Sequence, residues 1–359
     1  MRRTITISVD QLYRRQPGGI GTYVRGLAQG LASLDEPIDL VGLGPRGDVP
    51  AEVTSLPLRL RPAPLPLNVL TRVWPLLALG VPRDSAVVHA TSMAGPFGGG
   101  ARNAIHSVAL HDLMWRDEPA ASTRAGIKFH EERLQLIIRR DDLRVLTTSP
   151  GLGERLTSLG VAGSRIRMVR LGVDDVTQGA SQPKTVRELL EAHGVNGPFT
   201  LYAGTREPRK NLERLIEAHR AARARNAQLG PLVLVGPSGW GDVGTSDAVV
   251  LGMVERATLL GLYRDATVFA YVPRAEGWGL PPVEALHAGT RVVASSTTPS
   301  VLGNDTVVQV DPLDVASITQ GLLDASGQEA DQKAIEARRA SVAALTWRNA
   351  ALDHLAGWQ

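Results

Sequence analysis

The sequence predicts an α/β protein built from two doubly wound domains, and three observations carry that expectation. Short β-rich apolar runs alternate with amphipathic stretches, a polar segment "GVDDVTQGASQPKT" at 172–185 interrupts them as a linker would, and the alternation then restarts. At 359 residues the chain also exceeds the usual single-domain size, which makes two similar domains facing one another the natural architecture.

Each element has its own signal. "TITISVD" opens as a strand, and "QPGGIGTYVRGLAQGLASL" turns through glycines into an amphipathic helix. Further strands are expected at "IDLVGLG", "AVVHATS", "HSVAL", "RVLTTS" and "RIRMVRL", separated by helical stretches such as "RAGIKFHEERLQLIIRR". After the linker, "FTLYAG", "PLVLVG", "DAVVLG", "ATVFAYV", "TRVVAS" and "TVVQV" read as strands. They interleave with helices at "NLERLIEAHRAARAR", "ERATLLGLYRD" and "PPVEALHA". No short tandem repeat or low-complexity tract appears.

Composition narrows the function. A 43% hydrophobic content supports full cores, whereas 4% aromatic content leaves too few rings for a single-strand nucleic-acid platform. The net charge of +3 is spread rather than clustered, which suits anionic small molecules or an acidic membrane surface better than DNA. With no cysteine there is neither a disulfide frame nor a thiolate metal site, and no signal-peptide pattern opens the chain. A cytoplasmic protein is the simplest expectation. The most membrane-like stretch, "PLPLNVLTRVWPLLALGV" at 64–81, is interrupted by Asn68, Arg72 and prolines, so a core or interfacial helix is expected there.

One motif misleads. "GLGPRG", Gly42 to Gly47, matches a dinucleotide fingerprint, but the proline-rich "DVPAEVTSLPLRLRP" behind it cannot supply the long helix, and the acidic ribose ligand is missing. A nicotinamide enzyme is therefore rejected.

Two other stretches carry chemistry. In "YVPRAEGWGLPPVEALHAGTRVV", Pro281 and Pro282 suit a helix start and Gly289 its end, so a strand, a tight loop and a short helix form a βαβ unit. Glu276 would lie in the loop and Glu284 in the first helical turn, at the edge where open parallel sheets bind ligands. In "LYAGTREPRKNLERLIEAH", Asn211 can cap the following helix, leaving Arg209 and Lys210 ahead of its positive end as a pyrophosphate site. Singly, these are a macrodipole partner, a solvated glutamate and a basic turn. Together, carboxylates for sugar hydroxyls and cations for phosphates fit a nucleotide sugar.

With those residues in view, the chain resembles the retaining glycosyltransferases of family four, which have the two-Rossmann GT-B fold. "EGWGLPPVEALHAGTRVV" and "GTREPRKN" carry the likeness, with "GGIGTYVRGL" similar to the amino-terminal glycine loop and "VALHDLMW" to the acceptor-side His-Asp segment. "MVRLGVD" resembles the end of the first domain, and "LTWRNAALDHLAGW" the closing helix that crosses back onto it. The resemblance implies an acceptor-side domain at 1–175, a nucleotide-sugar domain at 176–342 and the crossover helix at 343–359. It also implies roles: Glu276 holds the donor-sugar hydroxyls, Glu284 the ribose, and Arg209 and Lys210 the diphosphate. Gly19 and Gly21 admit the phosphates, His111 lies near donor sugar and acceptor, and Gly277, Trp278, Gly279 and Leu280 complete the donor loop. Trp278 and Arg274 depart from the usual Phe and small polar residue, and Arg274 is placed to alter the surroundings of the donor sugar. Tyr23, His89 and His130 have no identifiable partner and read as structural, while Asp112 can cap a helix.

The expected reaction needs no metal or other cofactor, since Arg209 and Lys210 stabilise the departing nucleoside diphosphate. The adjacent aspartates of "RRDDL" and "GVDDV" read as a helix end and a linker. The pattern looks most like bacterial polysaccharide mannosyltransferases, implying GDP-mannose as donor, with a UDP-sugar as the alternative. The acceptor would be a glycan, a lipid-linked glycan, a membrane lipid or a soluble metabolite, with possible peripheral contact at the inner face of the plasma membrane and no nucleic-acid partner. A nucleotide-sugar epimerase, a phosphorylase and a non-catalytic partner subunit are the competing readings of the same fold.

Overall fold

The computed structural model describes residues 3–77, 79–99, 103–174, 180–239, 244–328 and 331–359. These residues form two compact units, one of Met1–Gly172 with Leu345–Gln359 and one of Val173–Ala344. Part of the expected linker, 175–179, lies outside the described residues, and its last three residues belong to the helix Pro183–Ala192.

The first unit holds a fully parallel sheet of β1 (Arg3–Ser8), β2 (Ile38–Gly44), β3 (Arg59–Pro62), β4 (Val87–Ala90), β5 (Ile105–Leu110), β6 (Arg144–Thr147) and β7 (Ile166–Met168), in the order β3-β2-β1-β4-β5-β6-β7. The second holds β8 (Thr200–Ala203), β9 (Leu232–Val235), β10 (Ala248–Gly252), β11 (Val268–Tyr271), β12 (Arg291–Ser295) and β13 (Val307–Val310), also parallel, ordered β10-β9-β8-β11-β12-β13. Both orders reverse once, between β1 and β4 and between β8 and β11. Each unit is therefore a Rossmann-like sheet with a switch point, the place where strand connections diverge and leave a crevice. Val, Ile and Leu fill the central strands because helices cover both faces: Ile5, Ile7, Leu201, Val233 and Phe269 are fully buried.

Two local expectations need correction. "RLRP" supplies β3, an edge strand to which the sequence reading assigned no element. Its charged, half-exposed Arg59-Leu60-Arg61 pattern hides the pairing with β2, because an edge strand buries little. The glycines Gly18 to Gly21 form the first turn of the helix Gly18–Ala32 itself rather than a turn ahead of it. Gly42 to Gly44 close β2 and lead to the four-residue helix Ala51–Thr54, too short for a dinucleotide site.

The closing helix, Trp347–Gly357, belongs to the first unit. It lies against Gly18–Ala32 so closely that a β-carbon at Gly26 would enter the Trp347 indole and one at Gly30 would strike the Trp347 backbone. Trp358 is fully buried behind it. In the 64–81 stretch, only Leu67–Val73 is α-helical; Leu70 and Trp74 are buried, Leu76 and Leu77 are exposed, and Ala78 lies outside the described residues. Among the described residues no helix is long and apolar enough to cross a membrane.

Candidate active site

In the second unit the chemistry gathers at the β8/β11 switch point. The chain leaves β8 through Gly204, whose φ of 153° lies in glycine territory. It then enters a 3-10 turn, Pro208–Lys210, before the helix Leu212–Arg225. Asn211, expected to cap that helix, makes no side-chain cap. It sits in the left-handed region with φ of 61° and donates its amide to the carbonyls of Val272, at 3.0 Å, and Pro312. Its work is to tie the turn after β8 to the segment after β11. Arg274 acts likewise: it donates to the Pro208 carbonyl at 3.1 Å, so it braces the basic turn.

The turn presents Lys210 to Glu276. The Lys210 ammonium is buried, ion-paired with the Glu276 carboxylate and 2.5 Å from the Tyr271 hydroxyl. Tyr271 also donates to Glu276 at 2.5 Å, and Gly277 N–H to its other oxygen at 3.2 Å. Arg209 lies 3.8 Å from Glu276 and bonds Glu207 at 2.8 Å. Burial alone would raise the Glu276 carboxyl, but Lys210 and Arg209, with the hydrogen bonds from Lys210 and Tyr271, hold it down to about 2. Burial lowers Lys210, and Glu276 opposes that fall. Glu276 is therefore an ionised hydrogen-bond acceptor, unsuited to proton transfer near neutral pH.

Glu284 stands in the second turn of the helix Leu280–Ala288 rather than in its first, and it is buried. It accepts from the Tyr263 hydroxyl at 2.9 Å and pairs with Arg256 at 2.7 Å. Sequence reasoning missed Arg256 and Tyr263, and also Tyr271. A paired buried carboxylate was the available signal, because an ionised group inside a protein needs such partners. Burial works against the Arg256 charge, yet Glu284 raises its pKa overall. Gly279 has φ of 96°, and a β-carbon there would strike Thr298, so only glycine fits between the loop and the following segment. Gly277 lies in that loop and Leu280 opens the helix, while the buried Trp278 indole N–H has no hydrogen-bond partner among the described residues.

In the first unit, His111 directly follows β5 and its Nε2 bonds the Thr91 carbonyl at 2.9 Å. Asp112, expected to cap a helix, stands one residue ahead of the N-cap position, which is Leu113 and makes no side-chain cap; it closes a turn there by accepting from the Met114 N–H at 3.0 Å. Gly19 has open space where a β-carbon would stand, whereas one at Gly21 would collide with Pro17, so packing explains the second glycine and not the first. Tyr23 and His89, which the sequence left unpartnered, join a buried chain. Tyr23 Oη lies 2.7 Å from His89 Nε2 and 2.8 Å from His354 Nε2, and His89 Nδ1 lies 2.8 Å from Ser107 Oγ. His130 stacks on Trp115 at 4.7 Å between ring centres. Among the described residues no group of three or more His, Cys, Asp or Glu side chains is arranged to hold a metal ion.

Known proteins share this plan. Residues 18–172 match the model of a glycosyl transferase 4-like domain, and residues 197–326 that of glycosyl transferases group 1. The chain is 34% identical over 169 residues to O-antigen chain mannosyltransferase B of Escherichia coli, covering 42% of this chain and 43% of that protein. It is 28% identical over 229 residues to a serotype-specific mannosyltransferase of Escherichia coli, covering 59% of this chain and 25% of that one. The chain thus spans less than half the length of these curated relatives. Among solved structures, sucrose-phosphate synthase from Thermosynechococcus elongatus aligns with a TM-score of 0.73 at 19% identity, over 99% of this chain and 98% of that one. Anabaena HepE in complex with UDP and glucose aligns at 0.72 and 16% identity, over 99% of each chain. Two matched domain models and two Rossmann-like sheets agree: the chain belongs to the family-four-like glycosyltransferases of GT-B fold.

Proposed function

We propose that this chain is a retaining, metal-independent hexosyltransferase that moves mannose from GDP-mannose to a glycan or lipid-linked acceptor. The observation that carries the reading is the pair of ionisable clusters beside one switch point: Glu276 with Lys210, Arg209 and Tyr271, and Glu284 with Arg256 and Tyr263. Glu276 offers sugar hydroxyls an acceptor that stays charged, and Glu284 offers the same to a ribose. Arg209 and Lys210 supply positive charge to a departing diphosphate, and each is expected to contribute roughly 2 to 4 kcal/mol to the transition state, as preorganised oxyanion donors do. Because Glu276 is held ionised by neighbouring cations, it is a poor proton acceptor. This supports a route in which the acceptor hydroxyl attacks on the leaving-group face and passes its proton to a phosphate oxygen. Isolation of a covalent glycosyl-enzyme would overturn that route.

Mannose is favoured by the two Escherichia coli mannosyltransferases, and a UDP-sugar by the Anabaena protein that holds UDP and glucose. A thermal-shift panel of GDP, UDP, ADP and their sugar conjugates, with and without magnesium, separates them, since a ligand of the native state raises its stability by mass action. GDP-mannose should raise the melting temperature without magnesium, and Glu284→Gln, which loses the charge while keeping the side chain's shape, should remove the shift. A shift with UDP-sugars alone selects the second donor, and no shift with any of them returns the reading to a non-catalytic subunit. We place the protein in the cytoplasm, at the inner face of the membrane, on the exposed Leu76 and Leu77 and the net charge of +3. Flotation with anionic vesicles, lost in Leu76→Ser/Leu77→Ser, tests that placement.

A further inference from the structure

In the first unit three imidazoles surround one phenol, and one of the three reaches solvent. Tyr23, on the helix Gly18–Ala32, is buried, as are His89 on β4 and His354 on the closing helix. His111, just after β5, is partly exposed and lines a pocket of about 600 Å³. The Tyr23 ring meets His111 in an edge contact, with 4.9 Å between centres and 74° between planes. That contact joins the buried hydrogen-bonded chain to the one imidazole of the three that a bound molecule can touch.

The Tyr23 ring is pinned at its far end. Its hydroxyl lies 2.8 Å from His354 Nε2 and 2.7 Å from His89 Nε2, and both partners are anchored in turn. His354 Nδ1 lies 2.6 Å from the Ala350 carbonyl within the closing helix, and His89 Nδ1 lies 2.8 Å from Ser107 Oγ. Trp358, which follows that helix, packs on both imidazoles, 5.3 Å from His89 and 5.7 Å from His354 between centres. His111 is held differently. Its Nε2 donates to the Thr91 carbonyl at 2.9 Å, and Thr91 is itself fixed to β1, its N–H bonding Ser8 Oγ at 3.1 Å and its hydroxyl the Ser8 carbonyl at 2.9 Å. That bond sets the tautomer and leaves the lone pair on Nδ1, but a ring held at one atom still pivots about it. A rigid flank stops the pivot, and Tyr23 is that flank. Charge plays little part: burial keeps His89, His354 and His111 below their ordinary pKa, although Asp112 opposes it at His111 and Asp353 at His354, so all three rings are neutral near pH 7.

We propose that the closing helix is a positioning element for transfer: through His354 and Tyr23 it fixes the direction of the His111 imidazole and of its Nδ1 lone pair. Tyr23 and His354 are positioning residues, which act through His111 and touch no substrate. The inference rests on the transfer reading in one respect, that His111 stands beside the reacting groups.

The test joins long-range proton–nitrogen NMR of the histidine side chains in the whole protein to steady-state release of GDP from GDP-mannose with water as acceptor, UDP-glucose being run in parallel. Tyr23→Leu removes the flank, His354→Phe removes a pin, and Tyr23→Phe keeps the ring while removing both pins. Val41→Ala trims the buried core on β2 outside this cluster and controls for lost stability alone. Wild-type His111 should show one tautomer, protonated at Nε2. In Tyr23→Leu and His354→Phe its signals should move towards a mixture of tautomers. In the same variants kcat should fall roughly tenfold to a hundredfold, the cost of misplacing a group by about an ångström. KM for the donor should stay within about twofold, because Arg209, Lys210, Glu276 and Glu284 belong to the other unit. Val41→Ala should lower the melting temperature and change neither readout. Should Tyr23→Leu fail to fold, Tyr23→Phe carries the same comparison. His111 signals identical to wild type in the variants, a kcat that does not fall, or an equal fall in Val41→Ala overturns the proposal. A wild type that releases nucleotide from neither donor sinks the transfer reading instead, and the His111 spectra alone then decide whether the closing helix fixes that ring.

Discussion

Glu276 shows how one residue's surroundings decide what it can do. Its carboxyl lies at about 2 in the folded state against an ordinary 4.5, because the cations outweigh burial. A carboxyl depressed on folding contributes stability that is whole above about pH 4.5 and lost as the pH falls towards 2, on the order of 3 kcal/mol here. Glu276→Gln should therefore flatten the acid limb of a stability-against-pH curve in that window, and the transfer rate should show no ionisation of Glu276 between pH 5 and 8. Tyr23 makes a second case. His354 Nδ1 faces the Ala350 carbonyl at 2.6 Å and must donate, so its Nε2 accepts from the Tyr23 hydroxyl. The Tyr23 oxygen then accepts from His89 Nε2–H, and His89 Nδ1 accepts from Ser107: one fixed carbonyl sets every proton in the chain. Tyr23→Phe leaves an N–H and a lone pair buried without partners and should cost about 2 to 4 kcal/mol in urea unfolding. Burial holds His354 at about 4 against 6.5, so below pH 6.5 the unfolded chain takes up the proton first and stability falls until about pH 4. That slope should be shallower in His354→Phe. The sequence showed Glu276, Glu284, Arg209 and Lys210 because loop and helix signals frame them. It could not show Tyr263 or Arg256, whose partner Glu284 lies a strand and a loop further on, nor Tyr271, which reads as the end of a buried strand although Glu276 follows in the next loop.

At the scale of elements, strands were legible where both faces are buried, since runs such as "LVLV" and "VFAY" admit no other use. β3 was not, because its exposed edge imposes no apolar pattern. The basic turn was located correctly but its mechanics were hidden: Asn211 stitches two loops instead of capping, a geometry that needs the second loop to be seen. Helix contact was hidden too. Gly26 and Gly30 stand inside the helix Gly18–Ala32, where glycine is unfavourable, yet they are the floor on which Trp347 rests. An alanine at Gly30 gains up to about 1 kcal/mol of intrinsic helix propensity. It also drives a methyl into the Trp347 backbone, which cannot yield without moving the closing helix, at a cost of about 1 to 3 kcal/mol or more. The clash should win, so Gly30→Ala is expected to lower the urea midpoint, whereas Gly19→Ala, which meets nothing, should not.

The whole molecule consists of two units whose membership does not follow chain order, because residues 345–359 belong with 1–172. Trp347 and Trp358 are 6% and 0% exposed, and each buried indole is worth roughly 4 to 6 kcal/mol by area, an upper bound given a compact unfolded state. His354 adds its place in the Tyr23 chain, and Arg170 holds Asp353 through a 2.8 Å ion pair that is too exposed to weigh much. Against a typical domain stability of 5 to 15 kcal/mol, losing this helix should unfold or nearly unfold the first unit. Its own residues supply the core of Val173–Ala344, which should be indifferent. Truncation after Ala344, followed by calorimetry, should thus remove or sharply lower the transition of one unit while the other persists at its original temperature. If GDP-mannose is the donor, adding it should raise the persisting transition, since Arg209, Lys210, Glu276 and Glu284 all lie in that unit. Loss of both transitions together would show that the two units fold as one.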